Sequence, residues 1–466
     1  MLTPEIKLVI ILLGVALITY IFVLSPLRLV MYVVAFQKII DVFWFVDIYV
    51  GGLRLNIQRI VYTLLPIVLA FVLLAITYGR GRKYPFSTKI APLMILFASI
   101  VIINTWRSPF PEQGLLTLAK LLSPFVMFGA GWYYFDRAEK FDEFARLFIW
   151  SYIVSFVGLV LQLTGIFQLA DIGVAQMTYA SVGFEEDIFR YSGFYADSGT
   201  LAMPLYVLLP LCYYMLSKTD EPKKQQYWLF IIMGLIVAAA SFTRGVVLGV
   251  SIVTIVWLVL NKRFGLLGLF LSIGLPLFLF TDFSRKFFSD IFTFFESGLW
   301  ATSLSGRSAI WYRLLDTFEK KPFPEQFFGG GIAFHSLDLG LLNPDGSPYS
   351  AHADLLEFMY DIGYLGLGVY LLLVGSCWIL LLRNIWSCTT GRYDKNLKMR
   401  YFVWATILAF YTYGILGWSS RWTALTFPFW FIAGFAFKPP AYYAIQTRLE
   451  EEQAEHLELN PRLYPY

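Results

Sequence analysis

The feature that most constrains this chain is a succession of apolar stretches, separated mostly by short polar turns. Crossing a bilayer as a helix takes roughly 17–25 residues. Stretches of that kind fall near 6–24, 29–46, 58–78, 90–106, 115–134, 147–168, 199–217, 227–242, 245–261, 264–281, 355–382, 401–418 and 422–437. Hydrocarbon offers no hydrogen bonds, so each stretch must satisfy its own backbone by being helical. The expected fold is therefore an all-α polytopic transmembrane helix bundle with about 12–13 crossings. Pro26, Arg28, Gln37, Lys38 and Asp41 interrupt the first two stretches, which could instead form one crossing plus an interfacial helix. Only 15% of residues are charged, against roughly 25% in a soluble chain. Aromatic residues reach 19%, which fits a large set of interfacial Trp and Tyr anchors. A net charge of +4 gives no case for a nucleic-acid partner. Cys212, Cys377 and Cys388 sit in or beside apolar runs at no metal-ligand spacing, and read as packing residues. The first stretch lacks a small-residue cleavage site, so it reads as an anchor rather than a removable signal.

Orientation follows from Lys and Arg in the short loops. Clusters occur at Arg80, Arg82, Lys83 and Lys89, at Arg137, Lys140 and Arg146, and at Lys218, Lys223 and Lys224. Two more follow, at Lys262 and Arg263 and at Arg383, Arg392, Lys395, Lys398 and Arg400. All are expected on the cytoplasmic face, and counting backward puts the N-terminus outside. The chain then divides into N-terminal transmembrane helices (1–168), a first outer loop (169–198) and further transmembrane helices (199–281). A large periplasmic loop (282–354), C-terminal transmembrane helices (355–437) and a cytoplasmic tail (438–466) complete it. Two connections of that length are more often functional than idle, and are expected to lie over the mouth of the bundle.

Residues that could carry chemistry gather in or beside those loops. Ser350 is a plausible N-cap for the helix that follows, with His352 in its first turn and Asp354 beside it. A helix start favours a bound anion and disfavours imidazolium, which keeps His352 neutral and able to accept a proton. Arg190, in the first outer loop, is either a solvated arginine paired to Glu185, Glu186 or Asp187, or a guanidinium fork for phosphate. Arg244 lies in a short break between two apolar runs, where snorkelling competes with a functional role. Arg307, after Gly306, is expected to open a helix within the second loop, as a surface arginine or as a ligand-binding one. Gly329, Gly330 and Gly331 form a turn where backbone can approach a ligand closely. Gly363 and Gly366 would leave a flat strip for another helix or a lipid chain. His335 is taken as structural. No His, Cys and carboxylate group has zinc spacing, no DxD-like pair suggests a metal-dependent sugar-nucleotide site, and no Walker-type loop is present.

His352-Ala353, nine residues and Gly363-Tyr-Leu-Gly366 together resemble the signature of O-antigen ligases and Wzy-type polysaccharide polymerases. In that signature a histidine is followed by an amide or hydroxyl residue, then nine residues and Gly-x-x-Gly. Ser241-Phe-Thr-Arg244-Gly245, Gly306-Arg307 and the turn 329–331 resemble the family's core region in the same order, and Arg190 with Gly193-Phe194 its upstream loop. The resemblance covers roughly 180–385, and Ala353 departs from it where a polar residue is usual. It implies a GT-C-like bundle in the bacterial inner membrane with its site facing the periplasm. The implied activity is inverting glycosyl transfer from an undecaprenyl-diphosphate-linked glycan, with neither metal nor cofactor. On that reading His352 is the general base, while Arg190, Arg244 and Arg307 hold the diphosphate. Gly306, Gly329, Gly330, Gly331, Gly363 and Gly366 support the backbone. The implied partners are the lipid-linked glycan, the bilayer and a chain-length regulator. Polymerisation of repeat units is the expected outcome, with ligation to lipid A–core as one alternative and transport of the same lipid without chemistry as another.

Overall fold

The computed structural model describes residues 25–168, 178–179, 188–189, 191–195, 198–272, 307–341, 354–414 and 423–445, apart from short breaks. Within them the chain is an all-α helical bundle, with two small antiparallel hairpins pairing Asp47–Val50 with Leu53–Asn56 and Thr178–Tyr179 with Ile188–Phe189. Among the described residues, four helices are long and apolar enough to cross a membrane: Pro111–Tyr134, Glu139–Leu163, Ser198–Lys218 and Asp354–Cys388. Shorter apolar helices accompany them, among them Ala91–Trp106, Lys224–Ala240, Gly245–Val259 and Leu425–Ala436.

In chain order the helices are α1 (Pro26–Ala35), α2 (Gln37–Val42), α3 (Leu65–Arg80), α4 (Ala91–Trp106), α5 (Pro111–Tyr134), α6 (Glu139–Ser151) and α7 (Ile153–Leu163). Then come α8 (Ser198–Ala202), α9 (Leu205–Lys218), α10 (Glu221–Ala240), α11 (Arg244–Leu260) and α12 (Phe264–Leu269). The last are α13 (Arg307–Glu319), α14 (Phe323–Phe328), α15 (Phe334–Asp338), α16 (Asp354–Thr390), α17 (Lys395–Gly414) and α18 (Thr423–Ala436).

Helix α9 is the axis: every residue from Leu205 to Leu216 is buried. Around it pack α6, α10, α11, α17 and α18. Lipid supplies no hydrophobic drive between helices, so close fit must hold them together. It is closest between α5 and α18, where a Cβ added at Gly131 would meet the backbone of Phe431, and one at Gly434 the backbone of Trp132. Aromatic stacks fill the remainder, with Tyr411 on Phe429 and Tyr206 on Phe410, both at 4.2 Å. Apolar side chains such as Ile95, Ile102 and Ile103 of α4, and Leu372 and Ile379 of α16, point outward, as lipid-facing residues should.

The polar interruption at Gln37, Lys38 and Asp41 proves to be buried. The chain breaks there into α1 and α2 at Phe36. Lys38 Nζ lies 2.8 Å from Asp41 and donates to the Thr200 carbonyl at 2.7 Å, while Tyr62 Oη donates to Asp41 at 2.6 Å. A second polar knot marks one end of the bundle. Asp142 of α6 accepts from Arg400 at 3.0 and 3.2 Å, and also from Tyr214 and Lys218. Lys438 donates to the Phe135 carbonyl at 2.7 Å in the same region. Contacts therefore bring Lys218 and Arg400, from separate basic clusters of the sequence, to one end.

Candidate functional site

The opposite end of the bundle carries the candidate site, built where α4 stops and α16 starts. Asn104 and Thr105 close α4 by bonding their side chains back to the carbonyls of Ile100 and Val101. Beyond them, the Asn104 carbonyl accepts from Ile332 N at 3.0 Å, and Ser108 Oγ donates to the Ile332 carbonyl at 2.7 Å. The glycine turn 329–331 is thereby seated on the end of α4. A Cβ on Gly331 (φ 112°) would come 2.6 Å from the Arg107 carbonyl, so only glycine fits.

The other side of the turn meets α16 backbone to backbone. Gly330 N and Gly331 N donate to the carbonyls of Tyr360 and Asp361 at 3.1 and 3.0 Å. Those carbonyls are released from the helical ladder by a break at Gly363, whose φ of 70° and ψ of −179° are not helical. The break makes room for the Phe327 carbonyl and Gly329 N, which any Cβ at 363 would strike. The flat glycine strip expected at 363 and 366 is therefore corrected. Gly363 admits a loop rather than a helix, and the nearest atoms to a Cβ on Gly366 belong to Ile362 of its own helix.

Asp361 locks this junction. Its carboxylate, fully buried, accepts from Ala333 N at 2.9 Å and His335 N at 3.5 Å, and faces His335 Nδ1 at 2.8 Å. Ala333 is held in the left-handed region (φ 63°, ψ 14°), a strain that the Asp361 bond sustains. Asp354, Glu357 and Asp361 occur at helical spacing on α16 and are all buried, so its first turns present carboxylates inward. Carboxylates in a helix's first turns complement the dipole.

A second junction lies where the connection between α7 and α8 returns. Gln162 Oε1, at the end of α7, accepts from Ser192 N at 3.0 Å and Gly193 N at 2.7 Å. Tyr195 Oη bonds Ser155 at 2.6 Å and the Lys38 carbonyl at 3.2 Å. Tyr191 N donates to the Ala240 carbonyl of α10 at 3.3 Å. The residue after Arg190 is therefore joined to the helix that ends just before Arg244. Replacing Gln162 by Leu should leave two buried N–H groups unpaired, at about 1–3 kcal/mol each. The expected result is amide exchange at Ser192 and Gly193 faster by about tenfold or more, read by hydrogen–deuterium exchange.

The predicted site residues fall as follows. Arg244 is the first residue of α11 and Arg307 the first of α13. Gly329, Gly330, Gly331 and Gly363 form one contact. Arg190, Gly306, His352 and the expected cap Ser350 lie outside the described residues, and the described part of α16 begins at Asp354. Sequence reasoning assigned no role to Asp361 or Gln162. The signal for Asp361 was a carboxylate within an apolar helical run, and Gln162 offered none. Among the described residues no group of three His, Cys, Asp or Glu is placed to hold a metal ion.

Residues 228–371 match the family model described as O-antigen ligase. Over that stretch the chain is similar to the O-antigen ligase and Wzy-type family. No curated protein matches the chain. The matched stretch runs from α10 into α16, so it holds Arg244, Arg307, the glycine turn, His335, His352 and Asp361. Arg190 and Gln162 precede it. Members of the O-antigen ligase family are glycosyltransferase-like enzymes acting on lipid-linked glycans, and the long apolar helices of this chain fit a membrane protein of that kind.

Proposed function

We propose that this protein polymerises oligosaccharide repeat units carried on undecaprenyl diphosphate, working at the periplasmic face of the inner membrane. His352 removes the proton from the acceptor sugar hydroxyl, whose oxygen attacks the anomeric carbon of the donor. The carbon–oxygen bond to the diphosphate breaks with inversion, and the lipid diphosphate leaves. A diphosphate is already a good leaving group, so the main demand is for fixed cations where charge develops. Arg190, Arg244 and Arg307 meet it, the guanidinium forks matching phosphate oxygens. The bond from Tyr191 N to the Ala240 carbonyl carries this reading, because it joins the chain next to Arg190 to the helix that leads into Arg244.

Polymerisation is favoured over ligation by the charge of the long second connection. Residues 282–354 hold six Lys and Arg against nine Asp and Glu, which is a poor landing surface for a phosphorylated core lipid. The test is reconstitution with a lipid-linked repeat unit, followed by gel separation. A ladder is expected; a single transfer that requires lipid A–core would make the protein a ligase, and lipid movement without transfer a transporter. In the same assay each arginine changed to Ala should lose on the order of 10²-fold in rate. Lys should rescue poorly, having no fork. Near-normal activity with Lys at all three positions would rule out the clamp.

A further inference from the structure

The short helix α14 has its polarity inside out. Gln326 turns inward and donates to the carbonyls of Phe318, Glu319 and Lys321 at 3.2, 3.0 and 3.0 Å, closing the end of α13. Lys321 also turns inward, pairing with Asp338 at 2.9 Å and lying 4.9 Å from the centre of the Phe334 ring. What remains outside is mainly apolar: Phe323 is 70% exposed and Phe328 52%, with Pro322 and Pro324 exposed beside them, and the half-exposed Glu325 is held 3.6 Å from Lys321. The patch continues onto the bundle. Phe328 precedes Gly329, which crosses Gly363, and the next residue on α16 is the exposed Tyr364. From Tyr364 the outward row runs down α16 through Leu371 and Leu372. Trp106, 93% exposed, ends α4 where Arg107 touches Gly331. Charged residues return just above, where the exposed Lys320 pairs with Asp316 at 2.6 Å.

We infer that α14 is inserted in the bilayer, with the Phe323 and Phe328 rings in the hydrocarbon of the leaflet at this end of the bundle. Water is the wrong solvent for this face, since a solvated loop helix would send Lys321 and Gln326 outward and its phenylalanines inward. An outer face made of large aromatic residues, continuous with the lipid-facing side of α16, is what an interfacial element requires. The insertion sets the height of the glycine turn and of the His335–Asp361 pair at the boundary between headgroups and acyl chains. It stands whatever reaction the site performs.

The test uses the full chain in vesicles of phosphatidylethanolamine and phosphatidylglycerol, with a nitroxide on F323C, on F328C and, as the aqueous control, on K320C. Signal from the unmodified chain, whose three cysteines are buried, is subtracted. Oxygen concentrates in hydrocarbon and a nickel chelate stays in water. The ratio of their collision rates is expected to be several-fold higher at 323 and 328 than at 320. Equal ratios at all three positions would overturn the insertion. Low collision with both reagents at 323 and 328 would overturn it too, since protein rather than lipid would then cover the face. Both rings are exposed, so neither cysteine removes a core contact; recovery of monodisperse protein confirms each variant before labelling.

Discussion

His352→Ala is expected to lower glycan transfer by about 10²–10⁴-fold, the usual contribution of a general base. Membrane insertion and donor binding should survive, because the arginines proposed to hold the diphosphate come from other segments. His352 stands two residues before the first residue of α16, whose Asp361 anchors the turn that seats His335. His335→Ala gives the necessary contrast. Its ring faces Asp361 and is buried, so its loss should act on stability far more than on the chemical step. The pH–rate profile separates the two: its ascending limb, set by deprotonation of the base, should vanish with His352 and persist without His335. Product formation by His352→Ala, with that limb intact, would remove His352 from the mechanism.

Gly363→Ala should damage the fold severely, although it adds only one methyl group. Two costs combine: a backbone conformation that residues with a Cβ avoid, at about 1–3 kcal/mol, and collision with the Phe327 carbonyl and Gly329 N, at about 1–3 kcal/mol. A total of about 4 kcal/mol is a large fraction of a typical folding free energy. The expected outcome is a variant recovered poorly, with a thermal transition well below that of the parent in detergent. Gly368→Ala is the control, because a Cβ there meets nothing within 4 Å. A Gly363→Ala protein as stable as that control would show that the crossing of 329 and 363 is not needed.

The bundle was legible because hydrophobic length is a local property. A run such as 115–134 announces a helix without reference to anything else, and α5 covers it. The interruption at Gln37, Lys38 and Asp41 was visible, but its meaning was not, since Lys38 bonds to Thr200, 162 residues away. Gly363 could be seen as a special position, whereas its break depends on a turn some thirty residues earlier. Asp361 was a charge in an apolar run, and only the fold shows which three donors it gathers. Gln162 gave no hint because an amide at a helix end is ordinary until a loop folds onto it. Pattern reveals elements; pairings made across the chain have to be seen.

The enclosure of α9 bears on how the protein is made. A helix leaving the insertion machinery meets lipid first, and α9 has no residue between Leu205 and Leu216 that faces outward in the finished bundle. Two of the helices that cover it, α17 and α18, are translated some two hundred residues later. Until they arrive, Tyr213 is already covered by Trp257 of α11 and Tyr214 by Phe141 of α6, but Tyr214 lacks the Arg400 that later bonds it at 2.8 Å. Closure of this bundle is therefore a late event in biogenesis. A ribosome stalled before Lys395 would release a chain whose central column is still open to the lipid, a ready target for membrane proteolysis.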